Sequence, residues 1–244
     1  MEKRLGRIPV VVLTIMAAVV TYILRHVQLE RSLDLSGKIM AGAGKGPLTW
    51  LCIAFAVLAA VYCILLQKRQ MISVGGSSSV IVTLVAAFLM TLGSAVRWNV
   101  NAVLALGGFV AAVCWVAVAL VRRQGTTPSA ALFMLPALFY AVELIIEFRG
   151  WSRDPLIMDY CFDLFALICV MCATFHLGGF SFQKGKRKLT VFYCICGVMF
   201  GAIAAAGYAD GAAKETAQLA GLFIQAGNIL WLLVNLWLLM EEEA

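Results

Sequence analysis

The sequence predicts an all-α integral membrane protein, built as a bundle of eight transmembrane helices. Three observations support this prediction. Of the 244 residues 63% are hydrophobic and only 13% are charged, and the mean hydropathy is +0.94. Soluble domains contain about 45–50% apolar and about 25% charged residues, so the composition excludes a soluble or disordered chain. The apolar residues also fall into eight continuous runs, each close to the roughly 20 residues needed to cross the hydrocarbon core.

The eight runs cover most of the chain and leave no segment long enough for a soluble domain, so we expect a single membrane domain over residues 1–244. Runs rich in Leu, Val and Ala exclude a transmembrane β-barrel, whose strands alternate apolar and polar residues. The first run follows a basic start, as a signal peptide does, but no cleavage site follows it, and we interpret it as helix 1. The predicted helices are 8–24, 48–66, 79–96, 100–121, 130–148, 155–180, 189–208 and 217–240.

The distribution of basic residues predicts the orientation of these helices. The loops after helices 2, 4 and 6 contain Lys and Arg without any Asp or Glu, whereas most of the basic residues on the opposite side lie among acidic residues. The positive-inside rule therefore predicts that both termini are cytoplasmic, in the inner (plasma) membrane of a bacterial-type cell. The net charge of +6 is explained by this topology and by contact with lipid headgroups, and it gives no support to nucleic-acid binding.

Helices 2 and 6 resemble each other. The spacing of Cys52 and Cys63 in helix 2 equals that of Cys161 and Cys172 in helix 6, and a basic loop follows each helix. This similarity predicts a 4+4 tandem repeat in which both halves have the same orientation, as in some transporters.

Helices 5 and 6 carry the charges that are most informative about function. Glu143 and Glu147 are one turn apart near the outer end of helix 5, and Asp159 and Asp163 are one turn apart near the outer start of helix 6. Because a short turn joins the two helices, the acidic faces can meet in an outward-facing pocket. Charges within a bilayer are costly and usually face a protein interior or a watery cavity. Arg97, at the outer end of helix 3, lies at the same level as a partner.

Asp163 is the first candidate for a functional carboxylate, since the helical rise places it about 12 Å below the outer surface. Clustered carboxylates in a low dielectric cannot all stay ionised, so we expect at least one to hold a proton or a cation. The alternative is that the acids only pair with arginines and clamp the outer ends of the helices.

Helix 8 contains a stripe of amide side chains, which includes Gln225 and Asn228 and extends to Gln218 and Asn235. Amides in hydrocarbon prefer partners on other helices, so the stripe predicts either interhelical hydrogen bonds or one wall of a polar pathway that leads inward from the acidic pocket.

Helix 6 also contains a weak candidate for a metal site. Cys169, Cys172 and His176 share one face of the helix, with the spacing and ligand types that copper or zinc can use. Intramembrane cysteines more often serve as small packing residues. The sequence has no P-loop or dinucleotide-binding fingerprint, so we predict no cofactor.

These features predict a transporter or transport-linked binding subunit for a small solute, a cation or a proton. Besides the lipid bilayer, its partners would be a small cationic or proton-coupled solute and, for an ATP-driven version, a membrane or ATPase subunit. The alternative is a non-transporting membrane scaffold or an accessory subunit of a larger complex. An embedded metal-dependent enzyme is the third interpretation, and we assign no catalytic residue.

Overall fold

The computed structural model describes residues 7–32, 46–66, 76–151, 157–211 and 215–240, and over these ranges the fold is all-helical. All eight described helices are long and apolar enough to cross a bilayer, so the chain is a multi-pass membrane protein. In chain order the helices are α1 (Arg7–Ser32), α2 (Pro47–Leu65), α3 (Ser77–Arg97), α4 (Ala102–Arg123), α5 (Ala131–Trp151), α6 (Ile157–Phe180), α7 (Arg187–Gly211) and α8 (Thr216–Met240).

The prediction of eight helices is confirmed, since each predicted run coincides with one helix. The largest difference in boundaries is at α1, which continues to Ser32 instead of ending at residue 24. The apolar run stops before Arg25, but the helix continues past this residue, which is buried with its guanidinium 5.5 Å from the centroid of the Phe162 ring. A cation stacked on an aromatic face can therefore lie inside a packed bundle.

Local sequence signals define several helix ends. Pro47 occupies the first turn of α2, where a missing backbone N–H costs nothing. Asn101 caps α4, since its side-chain oxygen accepts a hydrogen bond from the Leu104 N–H at 3.2 Å. Just beyond α4, Gly125 has a φ of +76°, a conformation that glycine adopts without steric cost.

Six of the helices form a closed ring. Each of α3 to α8 packs against the next helix in the chain, and α8 packs back against α3. Outside the ring, α1 and α2 pack against α7 and against each other. As a result α7 and α8 are buried over most of their length, whereas α2 exposes most of its apolar side chains, which face lipid in a membrane.

The predicted 4+4 repeat is not shown by the structure. In such a repeat α1 to α4 correspond in order to α5 to α8. The contact between α3 and α8 would then have an equivalent between α7 and α4, and the contact between α6 and α7 would have an equivalent between α2 and α3. Among the described residues neither equivalent is a packed pair. The two halves of the chain therefore occupy different positions, with α1 and α2 at the periphery and α5 to α8 all within the ring.

The contact between α3 and α8 is close because glycines lie on both sides of it. A Cβ added to Gly227 of α8 would lie 2.9 Å from the carbonyl oxygen of Ala86. A Cβ added to Gly93 of α3 would lie 2.9 Å from the carbonyl oxygen of Ala220. Small residues that let helix backbones approach are the usual source of tight packing between membrane helices.

The ring has two ends, which differ in charge. The C-termini of α3, α5 and α7 and the N-termini of α4, α6 and α8 lie at one end, called here the Arg97 end. The opposite end, called here the Arg122 end, carries the basic residues at the C-terminus of α4 and at and just before the N-terminus of α7. Those described are Arg122, Arg123, Lys184, Lys186, Arg187 and Lys188.

We expect Gly227→Ala to destabilise the protein by about 1–3 kcal/mol, because the new methyl group would force α8 away from α3. The measurement is thermal unfolding of purified protein in detergent. Gly207→Ala is the control, since nothing lies within 4 Å of a Cβ at that position. An equal melting temperature for the Gly227→Ala variant and the wild type would show that α3 and α8 tolerate separation.

Candidate functional site

The interior of the ring is filled by side chains that connect non-neighbouring helices. Arg97 of α3 reaches α5, Tyr140 of α5 reaches Asn228 of α8, and Trp115 of α4 stacks on Trp231 of α8. None of these helix pairs is adjacent in the ring, so the side chains cross its interior. From the Arg97 end to the Arg122 end, the interior changes from charged to neutral polar, then to aromatic, then to charged again.

Arg97 forms a bridge to two carboxylates of α5. Its Nη1 donates to Glu143 and its Nη2 donates to Glu147. The two glutamates are four residues apart and therefore share one face of α5, which lets one planar guanidinium bind both. The side chains of Arg97 and Glu147 are 14% and 26% exposed to solvent, so the bridge lies near the end of the ring.

Glu143 lies deeper than the rest of the bridge. Only 4% of the residue is exposed, and its Oε2 is buried without a hydrogen-bond partner, while Oε1 pairs with Arg97. An ionised carboxylate removed from water needs several hydrogen bonds or charges around both oxygens. The Arg97 bridge supplies these to one oxygen, and the other remains available to a proton or a cation.

Asp163 of α6 lies beside this bridge. It is half-buried, and it is close enough to Arg25 and Glu147 for their charges to act on its carboxylate. The structure therefore brings the acidic faces of α5 and α6 to the same region. The backbone of Asp159 lies one turn earlier in α6, and its side chain is outside the described residues.

Tyr208 of α7 completes the charged region. Its ring packs against Gly221 of α8, where a Cβ would lie 2.7 Å from the Tyr208 Cδ1 atom, so only glycine leaves room for it. Its phenol is within electrostatic range of all the charged groups of the bridge. We name the Arg97 cluster as this phenol together with Arg97, Glu143, Glu147 and Asp163.

A neutral polar region follows towards the middle of the membrane. The Tyr140 hydroxyl donates to the Asn228 Oδ1 at 2.5 Å, and both residues are fully buried. The Nδ2 of Asn228 and the Oε1 of Gln225 are buried without partners. Since α8 begins at Thr216, the helical rise places Asn228 about 18 Å along it, close to the bilayer midplane. Polar groups therefore extend from the Arg97 cluster to mid-membrane.

An aromatic layer lies beyond these polar groups. Trp115 and Trp231 stack at a centroid distance of 4.8 Å with ring planes 10° apart, and Phe133 packs on Trp231 at 6.3 Å. All three side chains are buried. The Trp231 Nε1 donates to the Thr174 hydroxyl of α6 at 3.4 Å, which holds the ring in place. This layer separates the polar region from the Arg122 end.

The amide stripe of α8 faces the ring interior. Gln225 and Asn228 lie above the aromatic layer, on the side of the Arg97 cluster, and Asn235 lies below it. Gln218, in the first turn of α8, is only half-buried. The stripe therefore provides interhelical hydrogen bonds at Asn228 and Asn235, while Gln225 leaves an acceptor unused.

The cysteines and His176 pack among other side chains. The His176 ring stacks on Tyr193 at 5.7 Å, and Cys172 is a hydrogen-bond partner of Tyr193. Cys169 lies in an apolar cluster with Ala59 and Cys196. No disulfide joins the cysteines in the described part of the chain. Across the described ranges, no group of three or more His, Cys, Asp or Glu side chains is arranged to hold a metal ion.

Sequence reasoning did not identify Tyr140 or Tyr208 as part of the site. Tyr140 lies one turn before Glu143, so helical spacing alone places it on the same face of α5. Tyr208 gave no comparable signal, because it follows a run of alanines near the end of α7 and its position depends on the contact with α8.

Comparison with known proteins identifies no relative, since no family model, no curated protein and no solved structure matches the chain. The functional interpretation therefore depends on the residues of the ring interior.

We expect Arg97→Gln to lower the free energy of unfolding by about 3–5 kcal/mol, because the Glu143 charge would lose its cation while remaining buried. Thermal unfolding in detergent measures this effect. Replacing both glutamates by Gln as well should restore most of the lost stability, because the neutral amides do not require a cation. Arg123→Gln is the control, since Arg123 is exposed and lies at the Arg122 end of the ring, far from the bridge. An Arg97→Gln variant as stable as wild type would mean that the bridge contributes nothing.

Proposed function

We propose that the protein is a transporter that binds a small cation, or a solute coupled to a proton, at the Arg97 cluster. Under the positive-inside rule the Arg122 end is cytoplasmic, because its loops carry Lys and Arg without acidic residues. The Arg97 cluster then faces the extracytoplasmic side of an inner (plasma) membrane of bacterial type, and both termini are cytoplasmic.

The observation that supports this proposal most directly is the buried Oε2 of Glu143, which has no hydrogen-bond partner in the ring. A scaffold that uses acids only as clamps has no reason to leave a carboxylate oxygen unsatisfied, because each unpaired buried polar group costs stability. In a transporter the same oxygen serves as the site that takes up and releases a proton or cation.

The charge balance of the site favours a cation or a proton. Among the described side chains of this region, three carboxylates (Glu143, Glu147 and Asp163) face two guanidinium groups (Arg97 and Arg25). With all five ionised, these described side chains together carry an excess of one negative charge in a low dielectric. Binding one proton or one monovalent cation neutralises it.

The closed aromatic layer fits a transporter with access from one side. Polar groups connect the Arg97 cluster to Asn228 near mid-membrane, and the stacked rings of Trp115 and Trp231 block the continuation. Transport by alternating access requires a barrier of this kind that opens in a second conformation.

The test is proton flux in liposomes that contain the purified protein and an internal pH-sensitive dye. Gradients of Na⁺, K⁺, Mg²⁺ and methylammonium are imposed in turn. We expect one of them to drive proton movement, and we expect Glu143→Gln to reduce the rate by about tenfold or more, because a neutral amide does not exchange a proton or hold a cation. Glu147 still pairs with Arg97 in this variant, so it is expected to fold.

Glu215→Gln is the matched control, because Glu215 lies exposed at the same end of the bundle just before α8. A cation that binds at the cluster must also raise the melting temperature of the wild type. At a hundredfold excess over its Kd, the free energy of unfolding should increase by about 2.7 kcal/mol. If no gradient drives flux, no cation stabilises the protein and Glu143→Gln only lowers stability, the acids are clamps and the protein is a scaffold.

A further inference from the structure

Arg122 is a buried cation at the end of the ring opposite the Arg97 cluster. It lies in the last turn of α4, and only 5% of the residue is exposed. Its Nη2 donates to the Asn235 Oδ1 at 2.9 Å, and its guanidinium carbon lies 5.9 Å from the centroid of the Phe133 ring and 6.0 Å from that of Trp231. Its Nη1 is buried and has no hydrogen-bond partner.

No carboxylate in the described part of the chain neutralises this charge. Among the described residues, ion pairs join Arg97 to its two glutamates and His26 to Glu30. The groups in contact with Arg122 are an amide oxygen and two aromatic faces, which stabilise a cation only in part. A guanidinium removed from water without a counterion is costly, and the ion pair that it lacks is one that an external anion can supply.

A second unused donor lies on the same face of α4. Trp115 is seven residues before Arg122, which is two helical turns, and its Nε1 is buried without a partner. The Asn235 oxygen accepts from Arg122, and its Nδ2 donates to the Trp231 carbonyl at 2.7 Å. These two bonds hold the guanidinium in position. The two buried groups without a partner, Arg122 Nη1 and Trp115 Nε1, are both hydrogen-bond donors, and donors bind an anion.

The surroundings of Arg122 also favour an anion. The described basic side chains at this end increase the local concentration of anions by their positive potential. They are Arg123, Lys184, Lys186, Arg187 and Lys188.

We propose that Arg122 and the Trp115 indole N–H form a binding site for a small inorganic anion of the size of chloride, reached from the Arg122 end. Close packing by Trp231 and Phe133 favours a small ion over a large one. The Asn235 side chain is the positioning residue of the site. This inference is independent of the proposed cation transport, because it concerns the opposite end of the ring and the opposite charge.

The test is thermal unfolding of the purified protein in an uncharged detergent, with chloride titrated against gluconate at constant ionic strength. We expect the melting temperature of the wild type to rise with chloride concentration and to saturate. Arg122→Gln should abolish this dependence. Arg123→Gln should retain it, because that neighbouring arginine is exposed and contributes only to the general potential.

A second variant keeps the test informative if Arg122→Gln does not fold. Trp115→Phe retains the aromatic stack and removes one donor, so the apparent Kd for chloride should increase by about tenfold or more, as the loss of a hydrogen bond to a charged group predicts. Iodide gives an independent readout, because it quenches tryptophan fluorescence at close range. Quenching should contain a saturable component in the wild type that disappears in Trp115→Phe.

Three results would overturn the proposal. The first is a wild-type melting temperature that does not depend on chloride or bromide. The second is stabilisation by the anionic lipid phosphatidylglycerol alone, which would assign Arg122 to a lipid headgroup. The third concerns the three glutamates at 241–243. If changing all three to Gln costs as much stability as Arg122→Gln, these glutamates are the counterion of Arg122 and no external anion is needed.

Discussion

Hydrocarbon offers no hydrogen bonds, and this constraint governs both the backbone and the side chains of the protein. In the described part of the chain, the backbone forms eight helices, in which its hydrogen bonds are internal. Most buried polar side chains face the interior of the ring that six of these helices form. The bridge from Arg97 to Glu143 and Glu147 is one of these internal interactions, and it joins α3 to α5, which are not neighbours in the ring.

The ring places opposite charges at its two ends. At one end, the carboxylates of Glu143 and Glu147 surround Arg97. At the other end lies the guanidinium of Arg122, which has no acidic partner among the described residues. The stacked rings of Trp115 and Trp231 lie between them. An ion that binds at one end acts little on the other, because most of the length of the ring lies between them. The two proposed sites are therefore physically distinct, although one helix, α8, contributes to the region around both.

The sequence was sufficient to predict the eight helices, because continuous apolar runs have one stable form in a bilayer. It also placed Arg97 at the level of the acids, since helix ends share a depth. It was insufficient to decide which acid is most buried. Counting from the surface favoured Asp163, but neighbouring helices determine burial, and Glu143 is covered more completely than Asp163. The burial of Arg122 was not predicted from the sequence for the same reason, since it depends on packing against Phe133 and Trp231 of other helices.

The geometry of α8 determines how the ring interior can change. Its contact with α3 is made through backbone surfaces at Gly93 and Gly227, and such a contact does not slide without steric clash. Its contacts with α4 and α5, by contrast, are made by side chains that cross the interior. Any conformation that connects the polar region to the Arg122 end must separate Trp115 from Trp231. The side-chain contacts that α4 and α5 make with α8 are therefore the ones that such a conformation would change.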